Sequence, residues 1–394
     1  MKKSYWAGLI TGAVAGIMGC ILGVLVALNL SPEVKDIVKT ASKVVLLDKY
    51  IDKYYLSGTE NVEMAEGIYK GYLDSLEDPY SVYYTKKEYQ DLLETTTGTY
   101  CGIGAVVSQN MDTGIITIVE PYEGSPAAEA GILPGDIIYK VEGEEVTGED
   151  LTQVVAKMKG EEGTDVDVTV FRSSTNKYID VTITRRQIEI ETIDYEMLDN
   201  SIGYIEVTSF DGVTAEQFRN ALDDLEKQGQ KGLIIDLRDN GGGRLDIVVD
   251  MLDRMLPEGV LVSTKTREGK GATYESTDEE KFDKPLVVLM NGNSASASEV
   301  FAGAIQDYEA GTLVGTTSFG KGIVQTIFDL QDGSAVKLTT SEYFTPKGRN
   351  IHGDGLTPDV EVELDEDLLT QLSIEKEDDN QLQAAIEEIE KMVE

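Results

Sequence analysis

No charged residue interrupts the chain between Lys3 and Glu33, and residues 7–30 form a near-continuous apolar run long enough to cross a bilayer as a helix. Lys2 and Lys3 ahead of it place the amino end inside, so an uncleaved single-pass anchor in the cell membrane is expected, with the rest of the chain extracytoplasmic. Two readings compete. A cleaved signal peptide normally has a shorter apolar core, and Ile17-Met18-Gly19-Cys20 has a lipobox-like look. Ten further uncharged residues follow Cys20 before Ser31, where a lipidated cysteine would usually be followed by a polar tether.

Beyond the run the period changes. Val34, Ile37, Val38, Ala41, Val44 and Val45 fall at helix spacing, a second helical segment covers 62–76, and Asp78-Pro79 stops it. This stretch is either a packing collar or a dimerisation arm, and periodicity does not separate the two. From Gly98 to about Arg172, short β runs surround one helical segment, 149–159, which presents Leu151, Val154, Val155 and Met158 on one side. A longer α/β pattern follows, with apolar runs at 202–207, 232–237 and 285–290. Each run leads into a glycine- or serine-rich turn and then a helical stretch. At the end, Leu382, Ala385, Ile386, Ile389 and Val393 share one helix face, which suggests docking onto the body or onto a second subunit. The domain plan is therefore an anchor (1–30), a helical region (31–97), a small β-rich module (98–172), an α/β domain (173–363) and an acidic helical tail (364–394).

Length and charge narrow the function. A chain of 394 residues suits two or three domains. With 72 acidic against 34 basic residues, the net charge of -38 repels phosphate backbones and excludes nucleic acid as a partner. Residues 361–394 hold thirteen acidic side chains against Lys376 and Lys391, the composition of a solvated face. Two cysteines make no disulfide framework, and a single histidine leaves no ligand set for zinc. No metal or cofactor is expected.

Gly124-Ser125-Pro126-Ala127-Ala128-Glu129-Ala130-Gly131-Ile132-Leu133-Pro134-Gly135-Asp136-Ile137-Ile138 resembles the core of a bacterial PDZ domain. Upstream, Gly102, Ile103, Gly104 and Ala105 stand where PDZ domains put the loop that binds a peptide's terminal carboxylate. Glycines there let consecutive N–H groups converge on the anion, while the strand beyond accepts the peptide by β-augmentation. In the resemblance, segment 149–159 forms the other groove wall, with Val155 and its apolar neighbours favouring an apolar C-terminal side chain. Those residues are equally well explained as core.

Asn291-Gly292-Asn293-Ser294-Ala295-Ser296-Ala297-Ser298-Glu299 leads from a strand into a helix, where free N–H groups and the helix dipole favour a developing oxyanion. The same Ser296-x-x-Glu299 pattern also satisfies a capping box, in which the serine merely caps the helix. Ser318-Phe319-Gly320-Lys321-Gly322-Ile323-Val324-Gln325 tips the balance, because a lysine in an apolar stretch loses its charge readily and can then serve a serine as general base. His352, the lone histidine, sits in a glycine- and proline-rich loop and reads as a loop residue.

These blocks, with Gly232–Gly243 (GLIIDLRDNGGG), residues 73–85 (LDSLEDPYSVYYT) and residues 348–359 (GRNIHGDGLTPD), resemble the C-terminal processing peptidases, the tail-specific S41 serine proteases. The likeness extends over essentially the whole chain after the anchor. It implies a crotonase/ClpP-like α/β protease domain, with Ser296 as nucleophile, Lys321 twenty-five residues later as base, and Gln325 orienting that amine. It also implies an oxyanion hole of backbone amides at Gly242 and Ala297. Asp307, on the helix after the serine, reads as a structural carboxylate. The implied function is cleavage of proteins near their C-termini, with the PDZ module capturing an apolar free carboxyl end and delivering it to, or unblocking, the catalytic site. A second copy and an activating or adaptor protein are candidate partners. Two rivals remain: a silent PDZ scaffold at the membrane, and a crotonase-like enzyme on an acyl-carrying substrate, for which no basic cluster is visible.

Overall fold

Five consecutive apolar residues, Leu286–Met290, form a strand buried on both faces, and this strand lies at the centre of the fold. In the computed structural model, which describes residues 32–59, 62–277, 281–371 and 374–393, it belongs to a six-stranded sheet. The order is Ile193–Leu198, Ile202–Val207, Gly232–Asp236, Leu286–Met290, Thr312–Gly315 and Val360–Glu361. All neighbours are parallel except the first pair. Strand alternation splits the side chains between two cores. Ile235, Val288 and Met290 face the helices Thr214–Gln228, Leu245–Asp253 and Ala297–Asp307. Ile234, Val287 and Leu289 face Leu382, Ala385 and Ile389 of the C-terminal helix Asn380–Val393. The tail helix thus docks on the body.

A second sheet holds Val82–Tyr84, Ala335–Phe344, Gly259–Thr266 and Thr273–Ser276, with Ile323–Asp329 paired to Ala335–Phe344. The region expected to be helical, 31–97, is therefore interrupted. After the turn at Asp78-Pro79 the chain enters this sheet, Val82 pairing with Lys337, before the helix Lys86–Thr97. That helix is bounded by a full capping box, Thr85 with Glu88, and by Gly98 in the left-handed conformation.

The β-rich module is a sheet ordered Ala105–Gln109, Ile116–Pro121, Ile137–Val141, Asp165–Arg172 and Lys177–Thr184, flanked by the helix Leu151–Met158. Lys177–Thr184 pairs with Asp165–Arg172 over its whole length, so the sheet runs past the boundary expected at residue 172. The hairpin explains why: a strand seeks its antiparallel partner, and the two polar-faced runs are joined by a short turn.

The chain divides into two compact units, one up to Tyr69 and another from Lys70. In the first, the helix Pro32–Tyr54 exposes Ile37, Val38, Val45 and Leu46. The expected anchor, residues 7–30, lies outside the described residues. Among those described, no helix is long and apolar enough to cross a membrane.

Candidate active site

The strand Leu286–Met290 delivers the serine-rich turn to the start of the helix Ala297–Asp307, and hydrogen bonding distinguishes the three serines. Ser294 is buried, its hydroxyl donating to the Leu237 carbonyl at 2.7 Å and accepting from the Asn291 N–H at 2.9 Å. Ser298 is buried and donates to the Asn240 carbonyl at 2.8 Å. Both tie this turn to the one after Gly232–Asp236. Ser296, the middle one, is half-buried and lines a cavity of about 350 Å³. Its backbone is strained, with φ 55° and ψ -112°, which L-residues seldom adopt outside functional turns.

Lys321 reaches the same cavity, together with Ala297, Gln325, Lys337 and Tyr343. Desolvation, reinforced by the Lys337 charge, holds the Lys321 amine below the ordinary lysine range, against the opposing pull of Glu299 and Asp78. Its ammonium lies 4.7 Å from the centroid of the Tyr80 ring. Buried Gln325 Nε2 has no hydrogen-bond partner, an orphan donor at the cavity wall. The geometry thus gathers Ser296, Lys321, Gln325 and Ala297 around one space. His352 is exposed and borders a different cavity with Asp78 and Thr339. Asp307 accepts from Arg349 and, at 2.7 Å, from the Lys347 N–H, which accounts for it structurally.

The Gly242 N–H, expected in the oxyanion hole, already has a partner in this structure. It donates to Asn240 Oδ1 at 2.8 Å, and the flanking Gly241 and Gly243, not Gly242, line the cavity. The Asn240 side chain turns back on the glycine turn because its own amide is anchored on the Val207 carbonyl at 2.6 Å. Gly242 serves another end here. At φ 100°, a Cβ on it would stand 2.6 Å from the Ala295 oxygen and 2.9 Å from the Ala297 nitrogen, so only glycine lets the two turns approach.

Sequence reasoning took Glu299 as a cap and no more. The cap is formed, the Ser296 N–H donating to Glu299 Oε2 at 2.9 Å. The fully buried carboxylate also accepts Ser318 Oγ at 2.6 Å, the Gly320 N–H at 2.7 Å and the Lys321 N–H at 2.8 Å. It therefore joins the serine turn to the lysine loop. Tyr343, whose hydroxyl burial pushes well above the ordinary tyrosine range, donates to the Ser296 carbonyl at 3.2 Å. Tyr343 and Lys337 come from the strand Ala335–Phe344, whose mixed residues gave no signal beyond β propensity.

In the PDZ-like module, Ala105–Gln109 is an edge strand, paired on one side only. Gly104 has φ 74° and no room for a Cβ beside Ser125, while Ile103 is buried in the module's core. Gly102 is buried at the end of its strand, and Ala105 opens the edge strand. Val155 is half-buried and borders a cavity of about 280 Å³ with Thr152, Lys159 and Tyr100, closed on its other side by Asp91 and Glu94 of the helix Lys86–Thr97. Leu92 and Thr96 of that same helix line the cavity that holds Ser296.

The family model for peptidase family S41 matches residues 201–362, and a PDZ domain model matches residues 117–172. The chain is 40% identical over 311 residues to the carboxy-terminal processing protease CtpA of Bacillus subtilis, covering 79% of this chain and 66% of that one. It is 37% identical over 319 residues to the carboxy-terminal-processing protease of Bartonella bacilliformis, covering 78% and 72%. The corresponding Synechocystis protein is 35% identical over 347 residues, covering 87% and 80%. A solved S41 protease structure from Bacteroides fragilis shares the fold, with a TM-score of 0.51 at 18% identity, over 82% of this chain and 90% of that one.

Proposed function

The chain belongs to the carboxy-terminal processing proteases of peptidase family S41, and on that footing we propose that this serine peptidase cuts protein substrates through a Ser296–Lys321 pair. Neutral Lys321 takes the proton of Ser296 Oγ, and the oxygen attacks the scissile carbonyl. The tetrahedral oxyanion falls to the Ala297 N–H at the start of its helix. Lys321 then hands the proton to the leaving amine, and the acyl-enzyme is opened by a water that Lys321 deprotonates in turn. Gln325, at the wall of the same cavity, is suited to orient the amine by accepting one of its N–H groups through its amide oxygen, which leaves the lone pair for the Ser296 proton.

What supports the pair above all is the shared cavity: Lys321, with its amine depressed by desolvation, borders the space that Ser296 faces, and His352 does not. The PDZ-like edge strand Ala105–Gln109 would capture a free apolar C-terminus, and the helix Lys86–Thr97, bordering both cavities, would carry that event to the catalytic one. Residues 7–30 would anchor the chain in the cell membrane, with the peptidase on the far side from Lys2 and Lys3.

Full-length protein in detergent, given an unfolded substrate with an apolar C-terminus, tests the pair. Wild type should cut, and folded Ser296→Ala and Lys321→Ala should not. An active Lys321→Ala protein would remove the lysine from the mechanism and return His352 to consideration.

A further inference from the structure

Lys337 also borders the cavity shared by Ser296 and Lys321, and it stands in a chain where acidic residues outnumber basic ones by 72 to 34. Some cations at cavity walls meet a carboxylate: Lys159 meets Glu94 and Arg244 meets Asp246. Among the described residues neither Lys321 nor Lys337 forms an ion pair. Each ammonium lies instead near a tyrosine ring of one short segment, Lys321 at 4.7 Å from Tyr80 and Lys337 at 5.4 Å from Tyr84.

The backbone of Lys337 is held on both sides. It pairs with Val82 in one neighbouring strand and with Ile327 in the other, which places it mid-sheet. Its half-buried side chain starts from that fixed point and lines the cavity.

We infer that Lys337 acts on the reaction through Lys321: its positive charge in the shared cavity makes a second ammonium unfavourable and so keeps the Lys321 amine free to take the Ser296 proton. This rests on the Ser296–Lys321 reading above. A neighbouring cation is one of the established ways of freeing a lysine for chemistry. The charges around Lys321 show why it is needed. Desolvation and Lys337 oppose its protonation, while Glu299, Asp78 and the Tyr80 ring face favour it. Glu299 and Asp78 are occupied elsewhere, Glu299 by four donors and Asp78 by the Tyr80 N–H and Ser81 Oγ. Arg244 at the same cavity is neutralised by Asp246 at 2.6 Å, the Tyr343 hydroxyl stays uncharged, and His352 lies behind Gly322 in the neighbouring cavity. Lys337 is thus a positioning residue in the electrostatic sense. It does not touch the reacting atoms.

The test follows the pH dependence of Ser296 labelling by a fluorophosphonate probe, in full-length wild type, Lys337→Met, Lys337→Gln and Lys337→Arg, with melting temperature as the check on folding. Removing the charge should move the acid limb up by roughly half to one pH unit, a roughly three- to tenfold loss of rate below the midpoint. The rate at high pH should stay nearly unchanged, and Lys337→Arg should keep the wild-type midpoint. An unmoved limb in Met and Gln variants that fold, or an Arg variant that shifts as far as they do, overturns the inference. Lys321→Met run alongside separates the two claims. If it labels with the wild-type profile, the Ser296–Lys321 pair fails. If it is inert while the Lys337 variants are unshifted, the role of Lys337 alone fails.

Discussion

The backbone N–H groups of Ser296 and Lys321 converge on one oxygen, Glu299 Oε2, at 2.9 and 2.8 Å. Residues twenty-five apart in the chain are thereby held by a single buried carboxylate, whose other oxygen takes Ser318 and Gly320. A small shift of this group displaces the nucleophile and the base together, and reaction rates respond steeply to such shifts.

Glu299→Gln is therefore expected to leave one of the two oxygens replaced by an NH₂ facing backbone donors. Buried hydrogen bonds to a carboxylate contribute about 1.5–3 kcal/mol each, so stability should fall by roughly 2–4 kcal/mol. The value of kcat should drop by about a hundredfold or more, with KM little changed. Denaturant melts and steady-state kinetics below the lowered transition measure both. A variant with wild-type kcat would show that the clamp does not position the pair.

Gly242→Ala tests the approach of the two turns. The added methyl meets backbone atoms of Ala295 and Ala297 at 2.6 and 2.9 Å, and φ 100° is itself unfavourable for alanine. A loss of about 1–3 kcal/mol is expected, with peptidase activity reduced far more than the folded fraction. Near-normal fluorophosphonate labelling in this variant would mean that the serine turn tolerates displacement.

Much of this arrangement is legible in the chain alone. The strands Gly232–Asp236 and Leu286–Met290 announce themselves as unbroken apolar runs, and the tail helix by the face it buries, Leu382, Ala385 and Ile389. Ser296, Lys321 and Gln325 are the residues that the family resemblance implies, and all three line one cavity. What stays hidden needs a third dimension. Glu299 looks like a helix cap because its local partner, the Ser296 N–H, is the only one visible in sequence. Its partners at 318–321 arrive across the fold. Nothing in the string reveals that Asn240 folds back onto the Gly242 amide. Lys337 pairs with residues far away on both flanks, Val82 and Ile327, so no local pattern marks it.

The tail helix is part of the core. Leu382 and Ile389 are essentially fully buried against the sheet, each contributing about 1.5–3 kcal/mol. Beside them Arg238 binds Asp236 at 2.6 Å and Asp379 at 2.8 Å. Removing residues 379–394 should therefore consume much of a typical stability of about 5–15 kcal/mol and give an aggregation-prone chain. Arg238→Met should cost about 3–5 kcal/mol by leaving two buried carboxylates unpaired. A cooperative wild-type melt in the truncated protein would refute the docking.

In the PDZ-like module, burial would raise Asp136, but its hydrogen bonds with Arg172, 2.6 Å at the closest, and the Leu133 N–H hold its carboxyl below the ordinary 3.8. A carboxyl depressed on folding stabilises above its unfolded value, and that contribution is lost as pH falls through the folded value. The module's stability should thus decline below about pH 4 through this group. Asp136→Asn should be weaker at neutral pH and flatter across the acid range. Urea melts at stepped pH, followed by amide exchange on the strands Ile137–Val141 and Asp165–Arg172, resolve this; parallel profiles for the two proteins would contradict it.

Glu94 and Lys159, 2.7 Å apart, join the helix Lys86–Thr97 to the PDZ-like helix at the mouth of its cavity. Lys159 also lies 5.0 Å from the Tyr100 ring, whose hydroxyl burial pushes up to about 12. Both charges are partly exposed, so the pair should contribute no more than about 1 kcal/mol to stability, and Glu94→Ala or Lys159→Ala should melt almost as wild type does. Function is another matter, because Leu92 and Thr96 on the same helix border the cavity of Ser296. If the helix carries peptide capture to the catalytic cavity, breaking the pair should change hydrolysis in the absence of an apolar C-terminal peptide. The stimulation by that peptide should then shrink by roughly threefold or more, a coupling change of about 0.7 kcal/mol at threefold. The exchanged pair, Glu94→Lys with Lys159→Glu, should restore it. Unchanged stimulation in both single variants would mean that the two cavities are not coupled through this helix.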